Sequence, residues 1–408
     1  MQHWLAAMAS GLIRRVRKGQ EFRPGRADAG AGIGAGIGGG LLLAGLFGLV
    51  LFAAGASSQP QNAESRFLRI ATGTTAGTYF PIGALIANAI SKPPGARPCE
   101  RGGSCGVPGL IAMAQTTSGS VQNLGQLRDG TAEAAMVQAD LAFWAFSGQG
   151  YYAGKPAFTG LRAIANLYTE TVHLVVRAES PIQSVADLKG LAVSLGEEGS
   201  GTLVETRLIL EAYGLRESEL QARFLRPGQA AERLASGEIA AFFLVGGPPI
   251  TAISDLAQRL PVRLIPFDDL IAEQMRTRLR FLSSTAIPGS VYPGVPYTRS
   301  LGIGAQLLVR ADLGDDLVYG MTSALWHDST HRLLAEGHPR GRGITLANAL
   351  RGLSVPLHPG AERYYQESGL LGTAAAARPE PAGPGVEVLD IKPPHLARFR
   401  PPQSPLPP

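Results

Sequence analysis

The chain has only two cysteines and five lysines among its 408 residues, and residues 29–63 carry no charged side chain at all. Each scarcity excludes something. Two cysteines cannot build a disulfide-dense scaffold, and a zinc centre would need two further ligands from elsewhere. The formal charge of +5 is concentrated at one end: residues 1–56 hold Arg14, Arg15, Arg17, Lys18, Arg23 and Arg26 against Glu21 and Asp28. What remains is close to neutral, with no basic stripe, so no nucleic-acid partner is expected. No lysine follows the glycines of the first Gly/Thr loop. That excludes a phosphate-cradling P-loop, and no cofactor is implied.

The uncharged stretch has its own meaning. Residues 41–54 are continuously apolar or glycine, follow a basic flank and lead into Ala54, Gly55 and Ala56. A positive region, an apolar run and a small-residue exit make an export signal. The glycine-rich residues 30–40 lengthen it enough for an uncleaved membrane anchor. In either case the positive flank stays inside, and the chain after residue 57 is expected in the periplasm. Cys99 and Cys105 enclose a short Gly-containing loop. In an exported chain the expectation is a disulfide, with free thiols or a partial metal site as the alternatives. From residue 372 the chain turns to alanine and proline, the composition of a disordered or polyproline tail.

Between these ends, one pattern is written twice. Residues 69–79 run from an apolar strand through Gly73, Thr74, Thr75, Ala76, Gly77 and Thr78 to Tyr79 and a helix-like segment at 80–90. Residues 191–202 run from a strand through Gly196, Glu197, Glu198, Gly199, Ser200, Gly201 and Thr202 to a helix at 203–213. Glycines let a backbone approach a ligand, and a helix start offers unpaired N–H groups to an anion. Two such loops on separate halves suggest a clamp for a small acid. Strands at 67–72, 111–116, 134–138, 162–167, 173–177, 191–194, 221–225 and 239–244 alternate with helices, which argues an α/β fold with mainly parallel sheets. Ligands in such folds sit beyond the carboxyl ends of the strands.

Other segments have plainer readings. Ser118 or Ser120 could cap a helix at 120–129, and Asp140 the helix after it. Glu197 and Glu198 read as solvated acids. Ser200 lacks the G-x-S-x-G elbow, because Glu198 stands two residues before it. His327 and His331 are spaced as on a zinc helix, but Asp328 replaces the glutamate and no third ligand is evident, so a surface helix is expected and no metal.

Taken together, these segments resemble the substrate-binding subunits of tripartite ATP-independent periplasmic (TRAP) transporters, specifically the TAXI family. The matching segments are residues 72–83, Thr117 to Leu124 with Ser118, Ser120, Gln122 and Asn123, the Val137-Gln138-Ala139-Asp140 stretch, residues 182–190, Gly199 to Thr202, and residues 357–361. The resemblance implies a two-lobed periplasmic-binding-protein fold of type II that closes over a glutamate-like or oxo-dicarboxylate ligand and passes it to TRAP membrane subunits. Lobe one would combine residues 66–170 with 297–371, and lobe two residues 171–296, crossing near 167–173 and 292–301. Thr74, Gly77, Thr78 and Tyr79 would meet the ligand from lobe one, with Ser118, Ser120, Asn123 and Gln138 lining that side. Ser200, Gly201 and Thr202 would meet it from lobe two. The cysteine-bearing insert at 93–108 is long for the family and could touch or shade the cleft. It runs into the strand that feeds the Ser118–Asn123 loop, so removing the disulfide is expected to weaken binding. A non-enzymatic receptor is the reading. A membrane-anchored sensor and an exported enzyme on the same frame are the alternatives.

Overall fold

The computed structural model describes residues 65–371. The expected export segment and the Pro-rich tail lie outside the described residues. No helix among the described residues is long and apolar enough to cross a membrane.

The first half is built from β1 (Arg66–Ala71), α1 (Tyr79–Ile90), the short β2 (Ser91–Lys92) and β3 (Val107–Pro108), β4 (Leu110–Gln115), α2 (Ser120–Arg128), β5 (Ala134–Gln138) and α3 (Ala139–Ser147). The long β6 (Leu161–Arg177) leads into β7 (Ala192–Ser194), α4 (Gly201–Ala212), β8 (Gln221–Arg223), α5 (Pro227–Ala235), β9 (Ala241–Gly246), α6 (Thr251–Arg259), β10 (Val262–Leu264), α7 (Asp269–Arg278) and β11 (Leu282–Ile287). A second long strand, β12 (Thr298–Arg310), returns to the first half, followed by α8 (Asp315–Leu325), α9 (Asp328–Gly337) and α10 (Pro359–Glu367).

The α/β class holds, and the sheet repeats one arrangement. Its order is β4-β1-β5-β12-β6-β9-β7-β8. Read inward from either edge, three parallel strands are followed by a long strand running antiparallel to them. The sheet is therefore mixed rather than mainly parallel. A strand arriving from the opposite half enters against the direction of its neighbours. β6 pairs with β12 over residues 161–171 and with β9 over 171–176. β12 pairs with β11 over 298–303 and with β5 over 305–309.

Each half buries its own apolar clusters on both faces of its sheet, as two-sided burial requires. In the first half α1, α8 and α10 cover one face through Ile82, Ile86, Val318 and Tyr365, while α2 and α3 cover the other through Leu124, Leu127 and Leu141. In the second half α4 contributes Ile209 and Leu210 to one face, and α5 and α6 contribute Leu234, Ile253 and Leu256 to the other. Each such fully buried side chain contributes roughly 1.5–3 kcal/mol.

Sequence patterning missed two passages. β6 is one strand where two are read from the sequence, because Thr169, Glu170 and Thr171 interrupt the apolar run while the ladder continues through them. The second change of partner falls at residues 303–305, beyond the expected 292–301.

Candidate functional site

The two Gly/Thr loops face each other. After β1 the chain turns with the Gly77 N–H donating to the Thr74 carbonyl (3.1 Å) and enters α1 at Tyr79. After β7, Gly196 adopts φ of 102°, and a Cβ there would lie 2.9 Å from the Leu203 nitrogen, so only glycine fits this turn into α4. Ser200 caps α4, its Oγ accepting from the Leu203 N–H (3.1 Å) and donating to the Glu197 carbonyl (2.6 Å). Both loops therefore end at the positive end of a helix, where the first-turn N–H groups have no partner within the helix.

Between them lies a small cleft, partly open to solvent. Thr74, Gly77, Thr78, Tyr79, Ser118, Ser120 and Gln138 line it from the first half, and Ser200, Gly201 and Thr202 from the second. Asn123 does not line it. Its amide donates to the Thr72 and Met136 carbonyls (2.6 and 2.7 Å) and its Oδ1 accepts from Thr117 Oγ1 (2.6 Å), so it pins β1 to β5 and both its N–H groups are spent on the backbone.

The hydroxyls are less free than the sequence implies. Thr78 Oγ1 donates to the Gly247 carbonyl (2.8 Å), Thr202 Oγ1 accepts from the Val245 N–H (3.1 Å) and Ser120 Oγ accepts from the Gln138 N–H (3.1 Å). Several contacts join the halves directly. The Gln122 N–H donates to the Gly199 carbonyl (3.0 Å) and the Ala252 N–H to the Ala76 carbonyl (3.1 Å). Gly201 sits so close to Gln138 that a Cβ would fall 1.6 Å from the Gln138 Oε1. The two halves are thus in direct contact beside the cleft.

The inner wall is acidic. Glu170, on β6 where it changes partner, lines the cleft at 3% exposure and accepts from the Tyr79 hydroxyl at 2.9 Å. Burial is the main cause that pushes its carboxyl up to about 8, and the nearby Asp140 adds to it. Gln138 Oε1 beside it is buried without a hydrogen-bond partner. Arg340, stacked on Tyr168 and donating to the Thr169 carbonyl (2.6 Å), brings a positive charge towards Glu170 from behind. No lysine or arginine is among the described residues that line the cleft. Phe243, Leu225, Pro227 and Ala230 supply an apolar wall.

Two acids depart from their expected roles. Glu197 is buried, not solvated; it lines the cleft, hydrogen-bonds Ser118 and pairs with Arg226 at 3.2 Å, while Glu198 is exposed. Asp140 does not cap α3, whose cap position is Gln138, and instead meets Glu205 of α4. Glu170 escaped the sequence reading, although it is the one acid in β6.

Cys99 and Cys105 form a disulfide, with Cα atoms 4.7 Å apart. The insert does not shade the cleft. Its Val107 packs on Gly320 of α8, and Cys99 lies beside His327, the cap residue of α9. These two sulfurs and His327 are the one three-ligand grouping among the described residues, and the sulfurs are committed to each other.

The family model described as NMT1-like matches residues 70–369. Among solved structures, the periplasmic aliphatic sulphonate binding protein SsuA of Escherichia coli is 16% identical, over 74% of this chain and 84% of its own, with a TM-score of 0.37. A putative periplasmic sulfonate-binding protein of Methylobacillus flagellatus KT gives 15% identity over 75% and 88%, with a TM-score of 0.39. The substrate binding protein of an amino acid ABC transporter gives 12% over 67% and 100%, also at 0.39.

Proposed function

The chain belongs to the NMT1-like family, and from that premise and the two-sided cleft we propose that it is an extracytoplasmic solute-binding receptor whose lobes close over a small organic acid. The observation that carries this is the pair of helix N-termini, α1 from one half and α4 from the other, meeting across a cleft between halves that exchange the long strands β6 and β12. Lobe one comprises residues 66–170 and 304–371 and lobe two residues 171–303, the second boundary moved to where β12 changes partner. The TAXI resemblance narrows the reading to a receptor of a TRAP-type secondary transporter, in the periplasm, handing ligand to membrane subunits.

The ligand's carboxylate meets backbone N–H groups of α1 and α4, since no cationic side chain lines the cleft. Glu170 and Gln138 Oε1 take a hydrogen-bond donor at the inner wall, which favours a glutamate-like amino acid over an oxo-dicarboxylate. The protein binds rather than transforms its ligand: Ser200 Oγ is held by its own loop, with no base beside it.

A thermal-shift screen of the full chain over amino acids, dicarboxylates and oxo-acids tests the reading. A ligand at about 100 times its dissociation constant stabilises by roughly 2.7 kcal/mol, a shift of several degrees. Silence across the whole panel would sink the organic-acid receptor.

A further inference from the structure

Asp140 and Glu205 take no part in the ligand site just described, yet they are among the most deeply buried acids in the molecule. Asp140 is the second residue of α3, in the first half, and Glu205 lies in the second turn of α4, in the second half. They are 3% and 1% exposed, and they lie close enough for each to act on the other's titration. Both Asp140 oxygens and Glu205 Oε1 are buried outside hydrogen-bond geometry, and the Asp140 and Leu141 backbone N–H groups at the start of α3 only partly offset the effect of burial on Asp140. The floor is apolar: Val204, next to Glu205, is buried in the cluster of Leu124, Leu141 and Ala142 from α2 and α3.

The charged and titratable groups facing the pair do not neutralise it. Glu170 of β6 adds like charge to both. Tyr79 of α1 is spent on Glu170, and Tyr168 and Arg340 lie on the far side of Glu170. Two carboxylates buried side by side repel each other when both are ionised, so the closed seam favours a proton on the pair. When α3 and α4 separate, water reaches both acids, and they return to the ordinary carboxyl range near ~4.

We propose that the Asp140–Glu205 contact is a proton-operated latch between the halves, so that closing the cleft takes up a proton and losing that proton favours opening. The inference rests on the reading that the halves move as lobes. Burial raises both carboxyls in the closed form, with their mutual proximity as a further cause for Glu205. The closed form therefore holds more protons than the open one above the ordinary carboxyl range. The closed-to-open ratio falls as pH rises, about tenfold per pH unit for each proton taken up.

Single-molecule energy transfer on the full chain, with no ligand, measures this directly. Dyes at exposed Arg128 and Arg216, carried on non-natural residues that leave the disulfide intact, report the distance between the halves. The closed population is expected to shrink by tenfold or more between pH 5 and pH 8 in the native chain. In Asp140→Asn/Glu205→Gln the amides hydrogen-bond without a titrating proton, and the slope should flatten. Glu205→Gln alone gives the same flattening if the double variant does not fold. A distance distribution unchanged from pH 5 to pH 8, or an equal slope in the variants, overturns the latch and leaves the receptor reading standing. A ligand screen without a hit would sink the receptor's ligand class and leave the latch measurable.

Discussion

His173 sits just past the point where β6 leaves the first half. Its Nδ1 donates to the Thr171 carbonyl (2.8 Å), and its Nε2 accepts from the Tyr292 hydroxyl (3.0 Å), which in turn accepts from the Ile250 N–H (3.1 Å). This chain of bonds fixes the turn that presents the Gly247 carbonyl to Thr78. Burial pushes the imidazole down to about 4, so the folded protein keeps it neutral. The unfolded chain binds the extra proton below ~6.5. The stability it contributes is complete above that pH and lost as pH falls towards 4, on the order of 3 kcal/mol. Urea midpoints for the native chain and His173→Gln should converge as pH drops from 7 to 4. Tyr292→Phe leaves two buried groups unpaired and should cost about 1–3 kcal/mol at pH 7 in the same assay. At the cleft, Glu170→Gln should weaken L-glutamate binding about 10- to 100-fold by calorimetry and 2-oxoglutarate much less, since a charged hydrogen bond to the amine is worth roughly 1.5–3 kcal/mol. An equal loss for both ligands would remove Glu170 from amine recognition. The hydroxyls and glycines of the cleft were legible from loop composition. Glu170 was not placed, because its partner Tyr79 is 91 residues away and only the sheet order brings them together.

The elements legible in sequence are those that begin or end on local chemistry. α4 announces itself through Ser200 as its cap, and β5 through five buried residues in a row. β12, α8 and α10 were unread, since their faces are defined by partners far away in the chain; α9 was expected as a surface helix from His327 and His331. The insert shows the opposite error, in which local reasoning went too far. Its short strands β2 and β3 pair with each other and lean on α8, away from the cleft. Closing a loop of this size stabilises it by roughly 2–3 kcal/mol. Cys99→Ser/Cys105→Ser should therefore speed amide exchange within residues 93–108 while ligand affinity stays within about twofold, contrary to the weakening expected from sequence. A tenfold loss of affinity would show that the insert speaks to the cleft after all.

At the scale of the whole molecule, the two halves share one strand order and each lends the other its long strand. That exchange places the strand completing the first half at residues 298–310, after the entire second half. During synthesis, residues 66–138 emerge first and wait for about 160 residues before β12 arrives to cover the open edge of β5. Contacts closed over so long a stretch of chain form slowly. For the extracytoplasmic receptor proposed above this delay is a gain: a chain that cannot finish its first half stays threadable through a translocation pore until nearly all of it has been made. A chain ended after Tyr297 should accordingly show no cooperative thermal transition by circular dichroism, although it contains most of both halves. A sharp transition in that fragment would mean that the first half completes itself without β12, and that the chain's order of synthesis sets no timing on its folding.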